Sequence, residues 1–231
     1  MKTFSGMSAE RLGELLAALP RLRIAVVGDY FLDKYLDVDP ALAETSIETG
    51  KTAHQVVGVR HSPGAAGTVV CNLVDLGVGQ LHAVGMTGGD GEAYDLRNDL
   101  DALGCDTAHL HYDHHRYTPT YLKPRDRENP GLGGEHSRYD TKNRTPTPRR
   151  LEGLIIASLD ALLPQLDAVI LADQVEEEDC GAITAAVIVP QSSSSTWSAR
   201  ITASSCGNSA SSEAMMWPSN LLGVGVRFFV S

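Results

Sequence analysis

Apolar positions follow two periods along this chain. Residues 9–18 (AERLGELLAA) set Leu12, Leu15 and Leu16 on one face at helical spacing behind Ser8, an N-cap residue, and so predict an opening helix. Residues 23–28 (RIAVVG) are an unbroken apolar run, the form of a strand buried on both faces, and their Gly-Asp ending predicts a polar loop at the carboxyl end. That position is a natural ligand site in a parallel sheet. A strand at 52–60, a helix at 64–76 stopped by Gly77, a strand at 81–84, a helix at 93–103 closed by Gly104 and a strand at 107–112 follow in alternation. The alternation predicts an α/β fold on a mostly parallel, doubly wound sheet.

Two stretches leave this rhythm. Segments 36–60 and 118–139 alternate in strand fashion, the second around a Pro/Gly-rich turn (ENPGLGG), and predict a small β lid. A long amphipathic helix is expected at 148–163, a strand at 168–173 (AVILAD) and a last helix from about 180 to 187. Then the pattern stops. Residues 192–212 hold ten serines and no periodicity, and 191–231 carry Arg200, Arg227 and Glu213, a net +1 against −11 for the first 190 residues. The chain therefore divides into an N-terminal helix (1–21), an incomplete α/β domain (22–187) and an atypical Ser-rich tail (188–231), expected to be a non-native continuation or a disordered extension.

Charge and cysteine usage narrow the partners. A formal net charge of −10 opposes binding to a phosphate backbone, so no nucleic-acid partner is expected. No apolar run reaches the length of a membrane span and the first residues lack the order of a secretory signal, which points to the cytoplasm and no membrane partner. Cys71, Cys105, Cys180 and Cys206 are scattered without a C-x-x-C pair, which argues for reduced thiols.

Three motifs in order carry a family likeness. VGDYFLDKY (27–35), HSPGAAGTVVCNLVDLG (61–77) and AVGMTGGD (83–90) with LGCDT (103–107) together resemble the front part of a PfkB, ribokinase-like carbohydrate kinase, closest to the heptose-phosphate kinase domain. The resemblance implies an ATP- and Mg²⁺-dependent kinase of a sugar or sugar phosphate, a lid over the sugar, and a homodimer made through that lid. It implies that the acid from the first strand accepts hydrogen bonds from sugar hydroxyls, with Asp33 the first candidate and Asp29 the second. Gly64 and Ala65 would let the backbone approach the sugar, and Lys123 and Arg138 stand in segments similar to those beside the family's substrate cleft. Thr118, Thr120 and Asp140 belong to the same segments. Thr68 stands where the family usually has Asn, which removes one expected substrate contact.

Each motif also has a bland reading: an Asp-rich turn, a small-residue helix packed tightly on a sheet, a capping acid. The family's catalytic G-A-G-D-type loop, whose Asp would be the base, and its Asn-x-x-Glu segment do not occur in these 231 residues. Little or no phosphoryl transfer is therefore expected, because that chemistry rests on positioning and charge stabilisation. The alternative is a residual sugar-binding or protein-interaction module. His109, His111, Asp113, His114 and His115 are a candidate metal cluster, set against the commoner solvated strand end. The P-loop and Rossmann glycine patterns are absent.

Overall fold

The structure, a computed structural model, describes residues 8–129, 132–188 and 225–230. Helix α1 (Ala9–Ala18) begins as the sequence requires, with the Ser8 side chain accepting from the Arg11 amide at 3.1 Å. Strand β1 (Arg23–Thr45) is the spine of the molecule. Its first third pairs in parallel with β3 (Gln80–Gly88) on one side and β7 (Ala168–Asp173) on the other. Beyond β3 lies β4 (Asp106–Asp113), also parallel, and beyond β7 the backbone of β8 (Gly225–Val230) pairs antiparallel.

The core sheet therefore runs β4-β3-β1-β7-β8 with helices on both faces. Helices α2 (Ala66–Asp75) and α3 (Gly91–Ala102) cover one face, where Val70, Leu96 and Leu100 pack on Ile24, Val26 and Tyr30. Helix α4 (Arg149–Leu162) covers the other, where Leu151, Ile155 and Leu159 pack on Ala25, Val27 and Val84. Alternate residues of β1 feed the two layers, as the two-residue period of a strand dictates. Strand order grows outward from β1 in both directions, so a topological switch point lies between the carboxyl ends of β1 and β7. Among the described residues no helix is long and apolar enough to cross a membrane.

Strand β1 does not end at Gly28. It continues past Gly28 and Asp29 into a second sheet, pairing antiparallel with β2 (Thr52–Ala65) and in parallel with β5 (Thr120–Asp126), which in turn pairs with β6 (Tyr139–Thr141). The loop expected after Gly28 is thus strand. Residues 24–32 are buried without a break and Val38 is buried again beyond them, so the strand is held from both faces through the Gly-Asp pair. The lid is strand-built, and one of its faces is tied to α3 by Lys34, which lies 3.3 Å from Glu92 and 3.2 Å from Asp95, and by His61 at 2.6 Å from Asp99.

The last helix is shorter than expected. Residues 180–184 are irregular and only α5 (Ala185–Ile188) is helical, because Cys180, Gly181 and Ala182 are held by side chains of the core instead of by a helix ladder. The expected Ser-rich tail falls on 189–224 and 231, outside the described residues, apart from β8.

Candidate functional site

A cleft opens at the switch point. It is lined by Asp29, Tyr30 and Phe31 of β1, Met86 and Thr87 of β3, Arg116, Tyr117 and Pro119 before β5, Lys142 and Asn143 after β6, and Val175, Cys180 and Gly181 after β7. Its walls are the carboxyl edge of the core sheet and the start of the lid.

Asp29 stands at the base, where main-chain amides hold its carboxylate. Only 4% exposed, it accepts from the amides of Gln174 (2.9 Å), Val175 (3.0 Å) and Ala182 (2.6 Å). Burial raises its pKa, and those three amides with the Arg116 charge pull it back only in part. A Cβ on Gly181 would lie 2.7 Å from Asp29 Oδ1, so glycine is needed for this close approach. The carboxylate that the sequence offers as a second sugar acceptor is already engaged by main chain.

Asp33 lies on the same face of β1, two residues beyond Phe31. It accepts a 2.6 Å hydrogen bond from Lys123 Nζ, with both side chains about one-fifth exposed. Burial lowers the Lys123 pKa, but the Asp33 hydrogen bond and charge outweigh it and the ammonium is held above its ordinary value. Lys123 also sits 5.1 Å from the Tyr35 ring centroid and 5.7 Å from that of Tyr121. Arg138 lies 4.5 Å from the Tyr121 centroid and forms a two-pronged pair with Asp140, both bonds at 2.7 Å, and that pairing raises its pKa. Tyr121 meets Phe31 of the cleft wall at 5.2 Å. Asp33, Lys123, Tyr121 and Arg138 thus form one polar and aromatic cluster on the lid face that continues the cleft.

Gly64 pairs with Phe31, and a Cβ there would lie 3.0 Å from Asp33 Oδ2, so the small residue lets β2 close on the acid. Ala65 turns the chain from β2 into α2 at φ +54°, a left-handed conformation that an alanine rarely takes. Thr68 donates at 3.4 Å to the Pro63 carbonyl. Asp90 of the GGD motif caps α3 through the Ala93 amide and receives the Thr118 amide and hydroxyl, while Thr118 accepts from the Gly88 amide. The third motif therefore joins α3 to β5. Thr120 returns its hydroxyl to the Thr118 carbonyl.

The histidine-rich strand end has other partners. His111 bonds Ser158 of α4 at 2.8 Å, and burial lowers its pKa; Asp113 accepts from Arg150 and from the His115 amide. Among the described residues no group of three or more His, Cys, Asp or Glu side chains is placed to hold a metal ion. Arg116, Lys142, Asn143 and Tyr117 line the cleft with no sequence pattern that marked them. Their proximity comes from the return of the chain after β4 and after β6, which local spacing does not encode.

The chain is 30% identical over 152 residues to the Bifunctional protein HldE of Vibrio parahaemolyticus and 28% identical over 151 residues to that of Helicobacter hepaticus, in each case over 65% of this chain. It spans 29% and 30% of the length of those two curated relatives. A ribokinase structure from Cryptococcus neoformans in complex with ADP aligns over 63% of this chain and 47% of its own, at 18% identity and a TM-score of 0.36. The family model that matches, described as pfkB family carbohydrate kinase, covers β1 to the turn after β5. Residues 23–132, just under half of the chain, are what that family model matches.

Proposed function

We propose that this chain binds a sugar or sugar phosphate in the cleft between core sheet and lid, as the sugar-binding part of a PfkB-type, ATP-dependent carbohydrate kinase. One observation carries the reading: Asp33, the second acid of VGDYFLDKY, is held by Lys123 at 2.6 Å beside Tyr121, whose ring meets Phe31 of the cleft wall. A carboxylate fixed on one oxygen by an ammonium keeps acceptor sites for vicinal hydroxyls, and the Tyr121 ring beside it offers an apolar face to a sugar. Asp33, Lys123, Gly64 and Arg138 are the assigned substrate-side residues. Ala65 positions them by turning the chain into α2, and Asp29 holds the floor beneath them. ATP and Mg²⁺ enter through the family; the described residues present no cluster of acidic side chains for the metal, so no transfer step is assigned to them.

The reading for these 231 residues is sugar binding with little or no turnover. A panel of sugars and sugar phosphates in a thermal-shift assay, run beside a coupled ADP-release assay, tests it. The expected result is ligand-dependent stabilisation that Asp33→Asn weakens by roughly tenfold in apparent affinity, the scale of one charge-assisted hydrogen bond. No stabilisation by any sugar defeats the binding reading. Turnover that Asp33→Asn abolishes defeats the claim of inactivity.

A further inference from the structure

Strand β1 turns successive side chains to opposite faces of the lid, so Asp33 and Lys34 point away from each other. Asp33 meets Lys123, and Lys34 meets α3. The Lys34 ammonium lies 3.3 Å from Glu92 Oε1 and 3.2 Å from Asp95 Oδ2, and all three side chains keep contact with water. Burial works against that charge, but the hydrogen bonds to Asp95 and Glu92 outweigh it and hold the ammonium above its ordinary value. Across the strand pair, the register partner of Lys34 is His61 of β2, whose Nδ1 lies 2.6 Å from Asp99 Oδ2. A carboxylate only accepts, so Nδ1 donates.

The three acids form one stripe of α3. Glu92, Asp95 and Asp99 recur at i, i+3 and i+7, next to Ala93, Leu96 and Leu100, which are buried in the core. The helix is itself fixed at its start, where Asp90 caps it and receives the amide and hydroxyl of Thr118. Strand β2, which carries His61, leaves the lid for α2 through Ala65 at φ +54°, a strained joint. A stripe of acids anchored on the core thus meets a pair of donors on the back of the lid. That pair stands directly behind the acid proposed to meet the sugar.

We propose that Lys34 and His61, with the stripe of Glu92, Asp95 and Asp99, form an ionic latch that sets the angle of the lid to the core, and that Lys34 is a positioning residue acting on the sugar site through β1. The inference rests on Asp33 facing a sugar and adds how that acid is held in place. An ammonium shared by two carboxylates contributes more than an isolated surface pair, and its contribution falls with salt because the groups keep contact with water. The latch touches no ligand. It acts on affinity through the fraction of molecules whose lid already stands in the binding position.

The whole 231-residue chain carries its own reporter of the latch. Cys71 of α2 is half-buried, and burial together with the Asp75 and Asp99 charges raises its pKa, so its thiol lies within reach of the latch acid Asp99. Labelling of Cys71 by N-ethylmaleimide, read by mass spectrometry, is followed beside thermal-shift titrations with a hexose and its 6-phosphate. Lys34→Met is expected to speed the labelling roughly threefold to fivefold and to weaken the sugar response by a similar factor. Loss of a cation alone would raise the thiol pKa and slow the labelling, so a faster reaction reports opening. Lys34→Arg, which keeps the charge, should restore the parent values, and Glu92→Gln with Asp95→Asn should match Lys34→Met from the helix side. Molar sodium chloride should speed labelling in the parent and in Lys34→Arg more than in Lys34→Met, a response that lost packing would not produce. Equal labelling of parent and Lys34→Met overturns the latch and leaves the sugar reading standing, and faster labelling that Lys34→Arg does not reverse overturns it too. Faster labelling with an unchanged sugar response overturns the positioning role of Lys34. Faster labelling with no sugar response even in the parent keeps the latch and removes the sugar reading.

Discussion

At Asp29 one carboxylate gathers three main-chain amides from the segment after β7 and fixes that segment against β1. Truncation to alanine would leave the Gln174, Val175 and Ala182 amides without that acceptor, at a cost that exceeds the relief of a desolvated charge. Asp29→Ala is therefore expected to lower stability by about 2–4 kcal/mol, read from urea unfolding. A loss under about 1 kcal/mol would show that water replaces the carboxylate and that the floor of the cleft does not depend on it. Asp29 and Asp33 look alike in the sequence: same strand, same face, four residues apart. They differ because the partners of Asp29 lie 145, 146 and 153 residues away and that of Asp33 lies 90 away. Residue type and local spacing supply the carboxylates; the fold alone decides that one is held by main chain and the other by a lysine.

Elements were legible where one period ran unbroken between clear stops. The opening helix, the α4 helix and strand β7 fall where apolar spacing, Ser8 and the run AVILAD place them. Sequence alone ends β1 too early, because Gly28-Asp29 has the chemistry of a turn. In the structure Gly28 is demanded by something else: a Cβ there would collide with the Ala172 carbonyl of β7. Its glycine serves close strand packing, and the strand continues. The reverse error occurs at Ala65, which reads as a small residue that lets the backbone approach a sugar yet sits at φ +54° at the start of α2. Left-handed backbone costs a non-glycine residue roughly 1–2 kcal/mol, while a new glycine loosens the unfolded chain by about 0.4–1 kcal/mol. Relief should win. Ala65→Gly is expected to stabilise the protein by roughly 0.5–1 kcal/mol in chemical unfolding, the difference between those two effects. A loss of stability would mean that the Ala65 methyl contributes packing that outweighs its backbone strain.

Charge and sheet edge act on the molecule as a whole. On a chain of 29 acidic and 19 basic residues, the cleft and its lid face bring Arg116, Lys142, Lys123 and Arg138 together with Asp29, Glu177, Asp33 and Asp140, so that each cation there faces a carboxylate. The same cleft depends on β7, whose carboxyl end delivers Val175, Cys180 and Gly181 to it. On its outer side β7 is covered by the backbone of β8, paired from Ala168↔Val230 to Asp173↔Gly225. Without that cover, an apolar strand would present free N–H and C=O groups along its length, a template for pairing with another chain. A variant ending at residue 188 should therefore self-associate, visible in sedimentation as species larger than those of the parent chain at equal concentration. It should also lose affinity for the sugar ligand, because disorder at the β7 edge reaches the loop that Asp29 holds. If the shortened protein sediments as the parent does and binds equally well, β8 is dispensable, and the edge of β7 is guarded by its own charged end at Asp173 or by the helices on either face.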